Sequence, residues 1–137
     1  MEEMTPRGRV LATFMHEPTD KVPVQHISFS SKIASMILGR EAYVGGGIQQ
    51  WREAKALWEG EKAHQEYLKR SLQDAFEVAK ATDQDILRLE YWCMPEKPTE
   101  RRDEYTFLYG DPRESWQLRR FHPPSETFEI IAQHPPK

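Results

Sequence analysis

The residues best placed for chemistry lie in the run 85–92 (DILRLEYW), whose apolar pattern predicts a β-strand. Side chains alternate along a strand, so Arg88 and Glu90 share one face of this otherwise apolar run. A buried strand with two charges needs a reason, because an uncompensated buried charge is costly. Two interpretations stay open: the two side chains form a structural salt bridge, or they sit at the mouth of a functional site.

Other common kinds of site have no matching spacing in the sequence. The 5 histidines are scattered, and there is 1 cysteine, whereas structural zinc requires four close-set Cys or His ligands. The glycine run 45–47 lacks both the Lys-Ser/Thr pair and the preceding strand of a phosphate-binding loop, which favours a flexible connection. Cys93 has no adjacent base and is expected to be a bystander rather than a nucleophile. We therefore expect neither a metal nor an organic cofactor.

Composition narrows the class of protein without indicating its chemistry. The chain has 137 residues and a formal net charge of −3, which suits one domain or a piece of one. The absence of a basic excess argues against a nucleic-acid partner, and no run approaches the ~18 apolar residues of a membrane span. A single cysteine and a polar amino terminus without a signal sequence indicate a cytoplasmic protein.

Local signals predict the elements that must position the candidate residues. Thr5 followed by Pro6, and Ser30, are typical helix N-caps, while Gly39 and Gly60 are placed to end helices. The two single strands should be parallel, because the connection between them is long and helical. We predict helices over 6–15, 31–38, 48–59 and 62–81, strands over 22–27 and 85–91, an exposed loop over 93–103, a hairpin over 104–121 and a proline-rich tail from 122.

The long helical stretch 48–81 carries both aromatic and charged residues at helical spacing. The aromatic side chains are expected in the core rather than on a stacking surface, and the charged ones on the solvated side. The aromatic set is Trp51, Trp58, Tyr67 and Phe76, and the charged set is Glu59, Glu61, Lys62, Glu66, Lys69 and Arg70.

Residues 5–24 (TPRGRVLATFMHEPTDKVPV) closely resemble the amino terminus of the uroporphyrinogen decarboxylase superfamily, which also contains the cobalamin-linked methyltransferases. The resemblance continues, less specifically, through GGGIQQW, DILRLEYW and EYTFLYGDP, so it covers residues 4 to about 131. It implies an α/β fold: a partial (β/α)8 TIM barrel with amino-terminal helices, the first two barrel strands and a β-hairpin. Because a complete barrel takes ~250 residues, residues 1–137 would form a single incomplete domain.

The resemblance also implies where a site would lie. Functional barrel residues come from the carboxyl ends of the strands, so Gln25, His26, Arg88 and Glu90 would be nearest to it. Gln25 and Arg88 would bind substrate, with Arg88 orienting a carboxylate, while Glu90 would act as acid or base and His26 would shuttle a proton.

The chain departs from the superfamily pattern at both decarboxylase motifs. No arginine follows the first predicted strand before Arg40, and the acid nearest the second strand is Glu90 rather than an aspartate. The zinc ligands of the methyltransferase branch lie in the later half of the barrel, which this chain does not contain.

The expected function is therefore that of an amino-terminal fragment of a uroporphyrinogen decarboxylase-like enzyme, a carboxy-lyase or methyltransferase, inactive alone. The alternative is a free-standing, non-catalytic α+β binding or assembly module. The expected partners are the small-molecule substrate of the parent enzyme and either further copies of the chain or a complementing polypeptide, with no nucleic acid and no membrane.

Overall fold

A computed structural model describes residues 2–88, 93–94 and 96–135, and these residues form a mixed α/β fold. Helices occupy the amino-terminal part, and strands follow in the carboxyl-terminal part. The elements are α1 (Pro6–Phe14), α2 (Ser31–Leu38), α3 (Gly47–Glu59), α4 (Glu61–Ala81), β1 (Glu100–Arg101), β2 (Thr106–Gly110), β3 (Trp116–His122) and β4 (Thr127–His134).

The four helices confirm the predicted ones to within a residue at each end, because local caps define their boundaries. The Thr5 hydroxyl accepts a hydrogen bond from the Gly8 amide at 3.1 Å, and the Ser30 hydroxyl accepts one from the Ile33 amide at 3.2 Å. Gly39 ends α2 in the left-handed conformation, with φ of 68°. Gly60, with φ of 129°, separates α3 from α4.

The strands form one antiparallel sheet in the order β1-β2-β3-β4. The predicted hairpin over 104–121 is confirmed as β2 and β3, which pair from Thr106 with Arg120 to Gly110 with Trp116. Two strands were not predicted. β1 lies in the segment expected to be an exposed loop, and β4 lies in the segment expected to be a tail, where it pairs with β3 across a β-bulge at Leu118 and Arg119.

The prediction of a strand over 22–27 is wrong, because these residues form no strand. The expected parallel pairing is also absent among the described residues. Asp85 donates its amide to the Val24 carbonyl at 2.8 Å, but its carboxylate accepts the Val24 amide, also at 2.8 Å. The His26 amide donates to the Gln84 side chain at 3.1 Å. Hydrogen bonds to the side chains of Asp85 and Gln84 thus replace the backbone ladder of a strand pair. Pro23 has no amide hydrogen to donate. Of the predicted strand 85–91, residues 85–88 form no strand and 89–91 lie outside the described residues.

The main core lies between α3 and the sheet and is aromatic. Phe107 has no solvent exposure, and the Trp51 ring stacks on Phe121 at a centroid distance of 4.7 Å. A second, smaller core between α2 and α4 contains Ala34, Ala42 and Val78. The expectation of a buried Phe76 is wrong, because that ring is 57% exposed.

A close contact at Gly47 joins the two parts of the fold. A Cβ atom on this residue would lie 2.5 Å from the Glu126 carbonyl oxygen and 2.6 Å from the Phe128 amide nitrogen. Only glycine permits that approach of the α3 amino terminus to β4. The Glu126 carboxylate also accepts the Ser31 amide at 3.2 Å, so the start of α2 is tied to the same place.

Candidate functional site

A cavity of about 490 Å³ opens between α4 and the chain segments 26–29, 43–45 and 84–88. Its volume is within the range of small-molecule pockets. Buried side chains of α4 form its floor, and half-buried or exposed apolar side chains form its walls. The floor includes Tyr67, Val78 and Ala79, and the walls include Phe29, Val44 and Leu72.

A buried charge cluster holds two of these segments in place. The Arg9 guanidinium, almost fully buried in α1, donates to Asp20 from Nε at 2.6 Å and also pairs with Asp85. Asp85 in turn binds both backbone groups of Val24, so α1, the segment 20–26 and the segment 84–88 form one unit. The Arg9 hydrogen bond, together with the Met4 amide, holds the pKa of Asp20 well below its usual range.

A second charge cluster holds the segment 40–43 against α4. The Asp74 carboxylate, which is 1% exposed, accepts the Tyr43 amide at 2.7 Å and the Arg40 guanidinium at 2.8 Å. Burial by itself raises the pKa of Asp74, but these two donors outweigh it and the net pKa is lowered. Asp74 is therefore a charged anchor for one wall of the cavity.

The polar groups of the cavity floor bond within the protein. The Gln49 amide donates to the Tyr43 carbonyl at 2.7 Å and to the Ser71 hydroxyl at 2.8 Å. The Tyr67 hydroxyl donates to the Gln49 carbonyl at 3.0 Å. Burial raises the pKa of Tyr67 well above its usual range, so the phenol is neutral across the physiological range. The interior therefore presents mostly apolar surface and neutral groups that already have partners.

The charged residues that line the cavity are confined to its rim. Lys69 and Arg88 line it and are exposed, as is His26. Among the described lining residues, none is Asp or Glu. The described interior of the cavity is therefore mostly apolar, and its charged lining residues stand at exposed positions.

The cavity includes two of the four site residues predicted from the sequence. His26 and Arg88 line it, whereas Gln25 is exposed and is not part of the lining. Glu90 lies outside the described residues, so its pairing with Arg88 and its role in a site stay predictions. Sequence reasoning missed Lys69, which was assigned only to a solvated face, and the floor of the cavity. A usable signal was the spacing of Leu68, Leu72, Ala75 and Ala79, which places them on one face of α4.

A second cavity, of about 370 Å³, lies beside the first and shares Tyr43 and Tyr67 with it. Two guanidinium groups contact the Tyr43 ring, Arg70 at 3.7 Å from its centroid and Arg52 at 4.2 Å. Glu41 pairs with both arginines, at 3.0 Å from Arg52 and 3.6 Å from Arg70. Glu59, Glu66 and Lys55 also line this cavity, so its described lining carries three acidic and three basic side chains and has little net charge for a ligand.

The buried carboxylate of Glu53 is not among the described lining residues of either cavity, and its hydrogen-bond partners give it a structural role. Glu53 in α3 pairs with the His64 ring at 2.9 Å and accepts the Met94 amide at 2.6 Å. It therefore anchors the segment at residue 94 to the helices. In the part of the chain that the structure describes, no group of three or more His, Cys, Asp or Glu could hold a metal ion.

Among the described residues, no helix has both the length and the apolar character needed to cross a membrane. Comparisons with protein-family models, with curated proteins and with solved structures found no match for this chain. The described residues form a mixed α/β protein in which a mostly apolar cavity carries Lys69 and Arg88 at exposed positions of its lining.

Proposed function

We propose that this chain is the amino-terminal segment of a uroporphyrinogen decarboxylase-like enzyme, and that the 490 Å³ cavity belongs to its substrate site. The observation that carries the proposal is the meeting of His26 and Arg88 at one cavity. These residues come from the two segments that the resemblance assigns to the first two strands of a (β/α)8 barrel, and barrel enzymes draw their functional groups from the ends of such strands.

Three of the four candidate residues have a role in this proposal. Arg88 orients a substrate carboxylate, because a guanidinium binds a carboxylate through two parallel hydrogen bonds. His26 carries a proton, since one imidazole nitrogen can accept a proton while the other donates one. Glu90 is the acid or base of the reaction, whereas Gln25 lies outside the described lining of the cavity and has no role in it.

Exposed apolar side chains support the view that further polypeptide covers this region. Phe14, Met15, Val22 and Met36 are each at least 69% exposed, and Ile27 is 65% exposed. Covering these side chains with further protein would remove their apolar surface from water, which stabilises the covered state. In the proposed enzyme, the remaining barrel strands and helices cover them, from the same polypeptide, a complementing chain or further copies of this one.

The alternative, a free-standing non-catalytic α+β module, is favoured by a different observation. The sheet and α3 enclose an aromatic core of their own, in which Phe107 has no exposure and Phe121 and Phe128 are buried. This part of the chain needs no further strands to complete its core.

The state of the purified chain separates the two proposals. We expect size-exclusion chromatography with light scattering to show concentration-dependent association, which Phe14→Ser with Met36→Ser reduces. A control, Ile131→Ser on the sheet, should not change it. A single defined stoichiometry that is unaffected by these substitutions would favour the module instead. Sequencing the DNA that follows codon 137 gives a second test, because a reading frame that continues into further strand and helix units would favour the enzyme segment.

Decarboxylation by this chain alone is not expected. Uroporphyrinogen is an octacarboxylate, so its binding requires several positioned cations and a closed cavity that excludes water. Anaerobic incubation of the purified chain with uroporphyrinogen, followed by chromatography, should give no product with fewer carboxylates. Product that scales with protein concentration and disappears in Glu90→Gln would show that the chain is active by itself.

A further inference from the structure

We propose that residues 11–37, here called the interface segment, form a two-fold interface with a second copy of this chain. The inference deepens the proposed function, on whose exposed apolar side chains it rests, because it names the partner that covers them. It is tested by association alone and requires neither a ligand nor turnover.

Exposed apolar side chains are concentrated in the interface segment. Of the large apolar side chains that are exposed among the described residues, nine belong to this segment and five lie elsewhere. The nine are Leu11, Phe14, Met15, Val22, Val24, Ile27, Ile33, Met36 and Ile37. Single exposed apolar side chains are normal on a protein surface, but nine in one segment give a partner much apolar surface to remove from water.

The chain also exposes more surface than a compact chain of its mass. Its accessible surface is 9211 Å². The relation between area and mass in compact monomers gives roughly 7,400 Å² for a chain of 16.1 kDa, which leaves a surplus of roughly 1,800 Å². A typical interface removes about 800 Å² from each partner, so the surplus is sufficient for a stable dimer.

The charges of the interface segment are complementary to one another. Glu17 and Lys32 are exposed and belong to no ion pair of the described residues. The Lys32 ammonium donates to the Pro124 carbonyl at 3.3 Å, which leaves its charge without a carboxylate. The other Asp and Lys of the segment, Asp20 and Lys21, are each paired within the chain. The segment thus offers one acid and one base to a partner.

A second copy of the chain supplies the partners of both charges at once. In a two-fold interface each copy presents the same surface, so Glu17 of one copy faces Lys32 of the other and the reverse pair forms by symmetry. A partner with only one sign of charge would attract one of these side chains and repel the other. The apolar side chains therefore favour association, and the two ion pairs fix its register.

Sedimentation equilibrium of the purified chain tests the proposal, at about 50 mM salt, where exposed charges are little screened. We expect an equilibrium between monomer and dimer. Glu17→Lys and Lys32→Glu should each raise the Kd of the dimer about tenfold, because each turns two attractive pairs into two repulsive ones. The variant with both substitutions exchanges the charges and should restore the original Kd to within about threefold, since the pair is then attractive again.

Two matched controls make the same changes of charge at exposed positions outside the interface segment. Glu114→Lys lies in the loop between β2 and β3, and Lys62→Glu lies in the first turn of α4. Neither should change the Kd by more than about twofold, and circular dichroism should show the same helix content in every variant. Controls that raise the Kd as much as Glu17→Lys would contradict an interface at this segment.

Two further results would overturn the proposal, and each leaves the proposed enzyme with its own test. If the chain associates but the exchange of charges does not restore the Kd, the partner is not a second copy in this register. The effect of Phe14→Ser with Met36→Ser on association then still tests the proposed enzyme. If the chain stays monomeric at millimolar concentration, the interface is absent, and the reading frame after codon 137 remains the test of the enzyme.

Discussion

The sheet region, which comprises α3 and β1–β4, and the helical region, which comprises α1, α2 and α4, are stabilised in different ways. In the sheet region, α3 and the strands bury large aromatic side chains, among them Phe107, Phe121 and Phe128. In the helical region, the buried cluster is Ala34, Ala42 and Val78, while larger side chains such as Phe14 and Met36 are mostly exposed.

In the helical region, charged pairs rather than large buried apolar side chains hold the chain segments together. Arg9 holds Asp20 and Asp85 together, and Asp74 holds Arg40 and the Tyr43 backbone. Burial of an aromatic side chain contributes several kcal/mol, whereas a charged pair returns little after desolvation. We infer that the helical region is the less stable part of the chain and the part that gains most from a partner.

The largest effect is expected in the sheet. Phe107→Ala leaves a cavity in a site with no solvent exposure and should lower the free energy of unfolding by about 3–5 kcal/mol. Ile131→Ala on β4, at a position 51% exposed, should change it by less than about 0.5 kcal/mol. Urea unfolding followed by tryptophan fluorescence measures both. Similar losses in the two variants would mean that the sheet core is not the main source of stability.

An intermediate effect is expected at the buried charge of the helical region. Asp74→Ala removes the acceptor of the Tyr43 amide and should lower the free energy of unfolding by about 1–3 kcal/mol. Glu77→Ala removes the exposed partner of the same Arg40 and should have a much smaller effect. Urea unfolding followed by circular dichroism at 222 nm measures both variants. If Glu77→Ala lowered the free energy of unfolding as much as Asp74→Ala, the hydrogen bond to the Tyr43 amide would not be the main contribution of Asp74 to stability.

The smallest effect is expected from acid. The pKa of Asp20 is lowered in the folded state, so its pairing with Arg9 stabilises the fold above the ordinary aspartate pKa near 4. That stability is lost as the pH falls from about 4 towards the lowered value, because the unfolded state then binds more protons. Asp74, whose pKa is also lowered, acts in the same direction.

Two optical signals separate the regions in an acid titration. The described tryptophans, Trp51, Trp58 and Trp116, belong to α3 and β3, whereas α1, α2 and α4 contribute to circular dichroism alone. We expect helical circular dichroism to fall at a higher pH than the tryptophan signal changes, and Asp20→Asn to make the first change shallower. Coincident changes in the two signals would show that both regions unfold as one unit.

Prediction from the sequence succeeded where the signal was local. Thr5, Ser30, Gly39 and Gly60 define the helix ends through contacts within a few residues, and those helices are present. It failed for 22–27, because a strand exists only if another segment offers a ladder. It also failed for β4, which pairs with the preceding strand β3 across a turn that contains Pro123 and Pro124. Val24 meets a carboxylate of Asp85 instead of a backbone acceptor, whereas residues 127–134 find the free edge of β3.

The same difference between local signals and long-range contacts applies to the candidate site. The sequence by itself determined that α4 would carry one apolar face and that Arg88 would be a charge within an apolar run, because periodicity and residue type are local properties. His26 was a candidate only through the family resemblance. Only the tertiary structure decided that these two residues share a cavity with Lys69 and that Gln25 stands apart from it. The reason is physical: the cavity exists because Arg9, Asp74 and Asp85 bind chain segments far apart in the sequence, and long-range pairs of this kind leave no periodic signal.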